Sequence, residues 1–336
     1  MLPCSLAIIP DVVFLSDFVP GAIVAAAIAP AIILLWLVVT ADSRPEPPRV
    51  VWICVVLGAL STLPAALIER WLQSLIPVVQ NSWVNAYERA LLIAGLPEET
   101  LKISIIAAVA RRARDFDEPM DGVVYGTAVG LGFAAVENIL YVAGNAHWAS
   151  VAVARGILSV PFHAALGAIA GAYIARARFG GALGANTSDR WRRPRLLLSA
   201  WLVPVALHTL YDGLPLGRVF NDPIEILTMA LIMLVVAFGA IIFAAVLARR
   251  IGRHQKASMQ TRRLPPIHWR GVWAQSLIGI GLSFVAVSLI IAGNSVARIA
   301  GLILIVISFG IARKCGKYLN AAALATQRVQ ADLPNT

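Results

Sequence analysis

Residues 123–142 read VVYGTAVGLGFAAVENILYV, twenty residues with one side chain of a charged type, Glu137. As a helix rising ~1.5 Å per residue, the run is ~30 Å long, the thickness of a bilayer's hydrocarbon core. Similar apolar runs recur at about 18–40, 50–68, 91–110, 150–174, 196–214, 223–248, 272–292 and 296–312. The whole chain is 59% hydrophobic and 14% charged, with a mean hydropathy of +0.78. A soluble domain carries roughly 25% charged residues, so this chain lacks the polar surface that a globular protein of its length needs. The expected fold class is all-α: a polytopic transmembrane helical bundle of about nine helices.

The net charge of +10 is distributed by loop. Arg44 and Arg49, Arg111, Arg112 and Arg114, six arginines in 176–195, seven basic residues in 249–270 and four after 312 make 22 of the 28 Lys and Arg. The alternate loops hold only Arg70, Arg89 and Arg218. Basic loops stay in the cytoplasm, so nine spans place the N-terminus outside and the C-terminus inside a multi-pass plasma (inner) membrane. A nucleic-acid reading needs a basic face with its own fold, and only the 249–270 loop comes near it, so no nucleic-acid partner is expected. Residues 69–90, with Trp71, Trp83, Tyr87, Glu88 and Arg89, are too polar to span and suit an interfacial segment.

Three segments follow: an N-terminal transmembrane hairpin with the interfacial segment (1–90), a transmembrane core (91–248), and a basic loop with a C-terminal hairpin (249–336). Cys4, Cys54 and Cys315 are scattered, without disulfide or zinc-finger spacing. Asp11 and Asp17 precede the first long apolar run and no Lys or Arg does, unlike a cleaved signal peptide.

Ionisable residues within spans are costly and mark function by default. They concentrate in spans three to six: Glu98, Glu99 and Lys102; Glu137; Arg155 and His163; His208 and Asp212. Lys102 is four residues from Glu98 and three from Glu99, so one helix face carries all three. Gly95 and Pro97 stand just before, and proline suits a first helical turn. Both glutamates are therefore expected in that turn, where the helix dipole favours their ionised form. Phe133, Glu137 and Tyr141 repeat at four, as do Arg155, Ser159 and His163, and His208 and Asp212.

Depth ties these groups together. Glu98 lies 13 residues from Arg111, Glu137 14 from Val123, His163 13 from Arg176 and His208 12 from Leu196. All four sit ~18–21 Å above the cytoplasmic edge of a core ~30 Å thick, in one layer nearer the outer face. Gly122, Gly126, Gly130 and Ala134 on span four, and Gly167 and Gly171 on span five, form small-residue stripes that let membrane helices pack closely. Taken singly, each feature has a plain packing explanation: a neutralised ion pair, interhelical polar glue, a structural histidine. Their shared depth favours a site.

At these residues the chain resembles the PrsW family, distant relatives of the CAAX prenyl endopeptidases. The motifs are EExxK (Glu98, Glu99, Lys102), FxxxEN (Phe133, Glu137, Asn138), a histidine in the next span (His163), and HxxxD (His208, Asp212), over about 90–215. The resemblance implies an intramembrane endopeptidase, often classed as a metalloprotease, acting on membrane-anchored regulatory proteins. It implies that Glu98 or Glu99 activates water, that Glu137, His163 and His208 bind a metal, assist the base or stabilise the oxyanion, and that Lys102 and Asp212 orient them, with Phe133, Asn138 and Tyr141 in support. HExxH is absent, so the common zincin arrangement does not apply. Two histidines and a glutamate could complete a site for a divalent metal such as zinc, and a metal-free glutamate/histidine mechanism fits equally well.

Other readings fit less. A proton- or ion-coupled transporter also buries acids and histidines near the midplane, but favours inverted repeats, and none is evident. A non-catalytic scaffold leaves the shared depth unexplained. A prenyl-protein protease should open toward the cytoplasm. Tyr211-Asp212 echoes aspartyl intramembrane proteases, but neither their GxGD partner nor a serine-type GxSG motif is present. The expected partners are a membrane-anchored protein substrate and the lipid bilayer.

Overall fold

A computed structural model describes residues 21–41, 46–79, 83–180, 189–216 and 223–258. Its helices are α1 (Gly21–Ala41), α2 (Pro48–Leu75), α3 (Trp83–Arg89), α4 (Leu96–Arg112), α5 (Pro119–Ala143), α6 (Trp148–Ile157), α7 (Ser159–Arg178), α8 (Arg192–Leu216) and α9 (Pro223–Ser258). A π-helical turn, Ala90–Gly95, joins α3 to α4, and no strand occurs among the described residues. Seven of the nine expected spans fall on these helices, and those at 272–292 and 296–312 lie outside the described residues. Five helical segments are long and apolar enough to cross a bilayer: α2, α5, the continuous α6–α7 segment, α8 and α9.

Two helices form the centre. The apolar windows of α5 and of α6–α7 are 72% and 78% buried, against 33%, 33% and 22% for α2, α8 and α9, so the latter surround them. Glycine makes the central pairing possible. A Cβ on Gly126 would overlap the Gly167 backbone, one on Gly122 the Gly171 carbonyl, and one on Gly130 the His163 carbonyl. Without side chains there, α5 and α7 pack backbone to backbone, as small-residue stripes allow in a membrane. On another side of α5, Gly58 of α2 meets Val129 and Gly132 meets Val55 in the same way. Outward faces stay apolar: Trp52, Leu60, Leu63 and Leu67 on α2 and Val235 and Ile242 on α9 are exposed. In water such a surface would aggregate; in lipid it is solvated.

Three local features differ from expectation. First, α2 continues seven residues past the expected end at 68, carrying Glu69 and Arg70 as helix rather than as interfacial chain. The chain then turns back, held by buried Asn85, which bonds Val79 N at 2.9 Å and Pro77 O at 3.1 Å, and by Arg89, which donates to the Ile76 carbonyl. Second, α4 begins as expected, with Pro97, Glu98 and Glu99 in its first turn, but the chain before it is already helical. Gly95 is itself helical (φ −56°, ψ −48°), and the Leu96 amide donates five residues back to Leu91. The wider turn shifts the hydrogen-bond frame just before Pro97, which has no N–H to contribute. Glu98 and Glu99 therefore lie within a helical stretch begun at Trp83, not at a free helix N-terminus. Third, the α6–α7 segment breaks at Leu158 (φ −107°, ψ −65°). Pro161 cannot donate to the Ile157 carbonyl, so the ladder is interrupted there.

At the start of α5, Asp121 Oδ2 accepts from the Asp117 and Glu118 amides at 2.7 and 2.8 Å. Tyr125 donates to Glu46 beside it. Glu46, Glu118 and Asp121 are buried together, and the capping of α5 accounts for the placing of Glu118 and Asp121.

Candidate functional site: a buried glutamate–histidine–lysine network

The polar residues of α4, α5, α7 and α8 converge. Lys102, 1% exposed, is the hub. Its ammonium lies 2.8 Å from Glu98 Oε2, 2.8 Å from Glu99 Oε1 and 3.1 Å from His163 Nδ1. It also sits 3.8 Å from the centre of the Phe133 ring, which ties the phenylalanine of α5 to the site by a cation–π contact. The expected reach of Lys102 to both carboxylates is thus realised on one face of α4.

The lysine sets the tautomer of His163. An ammonium only donates, so Nδ1 accepts and the ring proton belongs on Nε2. Nε2 faces Glu137 Oε2 at 2.8 Å. His208 is held by α8 on the opposite side of the cluster. Its Nδ1 lies 2.8 Å from Glu99 Oε1, and its Nε2 lies 3.1 Å from Asp212 Oδ2, one turn along the same helix, and 3.9 Å from Glu98 Oε2. The two imidazoles meet edge to face with centroids 5.4 Å apart, and Phe162 borders both.

Beyond Glu137 stands Arg155, at the end of α6. Its Nη2 is 2.8 Å from Glu137 Oε2, its Nε donates to Asn138 Oδ1 at 2.8 Å, and its guanidinium lies 3.9 Å from the Tyr141 ring centre. Asn138 also donates to the Ala27 carbonyl of α1 at 3.3 Å. Every residue singled out from the sequence therefore belongs to one connected group: Glu98, Glu99, Lys102, Phe133, Glu137, Asn138, Tyr141, His163, His208 and Asp212.

Burial is graded across it. Glu99, Lys102, His163 and His208 are almost fully buried, while the side chains of Glu137 and Asp212 keep 15% exposure. The partial opening lies on that side. Glu69, half-buried at the end of α2, faces the same region, within electrostatic range of Glu98, Glu137, His208 and Asp212. Hydropathy hid Glu69, because the apolar run ends at 68. A signal existed nonetheless: Gly58, Thr62, Ala65 and Glu69 follow a 4-3-4 spacing, one helix face, and the first three pack inward. The Ser159–Tyr211 hydroxyl contact at 3.5 Å had no signal beyond the helical position of Ser159.

Glu98, Glu99, His163 and His208 each offer one ligand atom, all four within 4.8 Å of one another. Both histidines of the expected metal set are in this group; Glu137 lies on the far side of His163 and is taken by Arg155. The donor chemistry fits a divalent cation. Two carboxylates with two imidazoles suit first-row metals such as zinc, and the buried Glu99 Oε2 has no protein donor. Lys102 contacts both carboxylates and His163 Nδ1, so a metal and the ammonium would compete for the same donor atoms.

A family model described as PrsW family intramembrane metalloprotease matches residues 46–252, a range that contains the ionisable residues of the network. The chain is 36% identical over 192 residues to Protease PrsW of Bacillus subtilis (strain 168), covering 57% of this chain and 81% of that protein. It is 31% identical over 215 residues to Protease PrsW of Oceanobacillus iheyensis, covering 63% and 90%. A third relative, Protease PrsW of Geobacillus kaustophilus, is 31% identical over 197 residues, covering 58% and 80%. No solved structure matches the chain.

Proposed function

The chain belongs to the PrsW family of intramembrane metalloproteases, and we propose that Glu98, Glu99, His163 and His208 carry its peptide-bond chemistry. The observation that carries this reading is Glu99: fully buried, with one oxygen held by Lys102 and His208 and the other without a protein donor. Such an oxygen is a base positioned for water. Water adds to the scissile carbonyl while its proton passes to Glu99. His208, bonded to Glu99 and facing Asp212, relays a proton to the leaving amine as the C–N bond breaks. Lys102 and His163 supply positive charge and a fixed dipole near the developing oxyanion, the kind of preorganised stabilisation that lowers such barriers most.

A divalent metal such as zinc, held by Glu98, Glu99, His163 and His208, would supply Lewis-acid polarisation of the water and the carbonyl oxygen. Lys102, Phe133 and Asp212 would then orient its ligands.

The substrate in this reading is a membrane-anchored regulatory protein whose single span reaches the cluster from the side of Glu137 and Asp212. The loop charges support a site nearer the outer face, with the N-terminus outside and the C-terminus cytoplasmic in the plasma membrane. Residues 91–248 form the catalytic core, although Glu69 links the preceding hairpin to it. Purified protein should cleave a candidate single-span substrate, and a Glu99→Ala variant should not. Equal cleavage by both would refute the assignment.

A further inference from the structure

We propose that Arg155 is a positioning residue of the proteolytic centre, anchoring Glu137 and Asn138 and, through Glu137, fixing the orientation of His163. The inference rests on the assignment of the glutamate–histidine cluster as that centre. It begins from an oddity of geometry. Arg155 and His163 are eight residues apart, ~12 Å along a straight helix, yet Arg155 Nη2 and His163 Nε2 both lie 2.8 Å from the same oxygen, Glu137 Oε2. The long arginine side chain and the break at Leu158 between α6 and α7 let both ends of the segment converge on one carboxylate.

The arrangement needs an arginine rather than any cation. One edge of the guanidinium serves Glu137 and its Nε serves Asn138, while its face lies on Tyr141. A lysine is a point charge and cannot hold two partners in one plane over an aromatic ring. The Arg155–Glu137 and His163–Glu137 contacts are both close in distance but off the hydrogen-bond axis, as Glu137 Oε2 and Arg155 Nη2 have no aligned partner. Arg155 therefore acts mainly by charge and by gripping Asn138, and Glu137 in turn holds the Nε2 edge of His163 electrostatically at 2.8 Å. From Arg155 the sequence of groups is cation, carboxylate, imidazole N–H, imidazole acceptor, cation, ending at Lys102. Only one tautomer of His163 satisfies both ends. Outer partners of this kind hold histidine ligands and bases in register.

A purely structural role, neutralising Glu137 within lipid, predicts a different outcome. The test uses the full chain in bilayers with a cleavable single-span reporter. It compares wild type with Arg155→Met, Arg155→Lys, Glu137→Gln, the Arg155→Met/Glu137→Gln double variant and Glu99→Gln. Misplacing a catalytic group by ~1 Å costs about 10²-fold, so Arg155→Met should lower kcat by about that factor with KM little changed. Arg155→Lys should recover only part of the loss. In the Glu137→Gln background, Arg155→Met should add little further loss, since residues acting through one another are not additive. Nitrogen NMR of His163 should show the Nε2–H tautomer in wild type, set by Lys102, and a shifted Nε2 resonance in Arg155→Met. Wild-type kcat in Arg155→Met, additive losses in the double variant, or an unchanged His163 Nε2 resonance would overturn the inference. If Arg155→Met fails to insert, Arg155→Lys decides it, and full kcat in that variant overturns the proposal. A fully active Glu99→Gln would refute the site itself; an inactive Glu99→Gln beside a fully active Arg155→Met would refute only the role of Arg155.

Discussion

Replacing Lys102 with methionine keeps the side chain's bulk and removes its charge from the centre of the network. The ammonium donates at 2.8, 2.8 and 3.1 Å to Glu98, Glu99 and His163, and is 1% exposed. Charge-assisted bonds of this type contribute about 1.5–3 kcal/mol each, but the larger effect is what remains. Two adjacent buried carboxylates would lose their counter-ion, and breaking a buried pair from one side costs about 3–5 kcal/mol. Lys102→Met should therefore lower stability by about 3–5 kcal/mol, read as the thermal unfolding midpoint in detergent. Turnover of a single-span substrate should fall at least about 10²-fold, because Glu99 and His163 lose their common anchor. Adding Glu98→Gln should restore part of the stability, since one of the stranded charges is then gone, without restoring turnover. An unchanged midpoint together with wild-type turnover would refute the hub assignment.

Metal analysis should find about one equivalent in wild type and its loss in His208→Ala, as expected for a site of this ligand type; chelator-resistant activity with no bound metal would favour the metal-free mechanism. Reporter fusions after Asp115, Ala185 and Gln260 should report cytoplasm and one after His147 the exterior; a cytoplasmic signal at His147 would overturn the outward-facing site. Gly126→Val should destabilise by more than the ~1–3 kcal/mol of ordinary overpacking, because its Cβ meets the Gly167 backbone, whereas Gly239→Ala should be neutral, with nothing within 4 Å. Equal midpoints for those two variants would contradict the α5–α7 packing.

The bundle and much of the site were legible because membranes make sequence speak plainly. Apolar runs of bilayer length mark helices, and an ionisable group within one has few places to go. Counting residues from the cytoplasmic end of each span placed Glu98, Glu137, His163 and His208 at one depth, and the folded chain brings them into one network. What the count could not supply was local backbone geometry. Pro97 after Gly95 reads as a helix start, since proline is common there, but the π-helical turn absorbs the missing donor and carries the helix through. Glu98 and Glu99 are thus held by Lys102 rather than by a helix dipole. Glu69 and Arg70 look like the end of a span because their charges lower local hydropathy, yet Glu69 turns inward toward acids that are distant in sequence. The convergence of Arg155 and His163 on Glu137 depends on the break near Pro161, which a regular 3.6-residue repeat does not anticipate.

The central claim, that these buried groups perform the hydrolysis, is tested most directly by the cleavage rates of Glu99→Gln and His163→Ala on a single-span substrate, alongside their expression, insertion and thermal midpoints. Loss of positioned acid–base catalysis typically costs ~10²–10⁴-fold, and each variant should lose at least that while inserting near normally. If the groups were only interhelical glue, turnover would persist and stability would change by about 0.6–2 kcal/mol. Full activity in both variants would contradict the account.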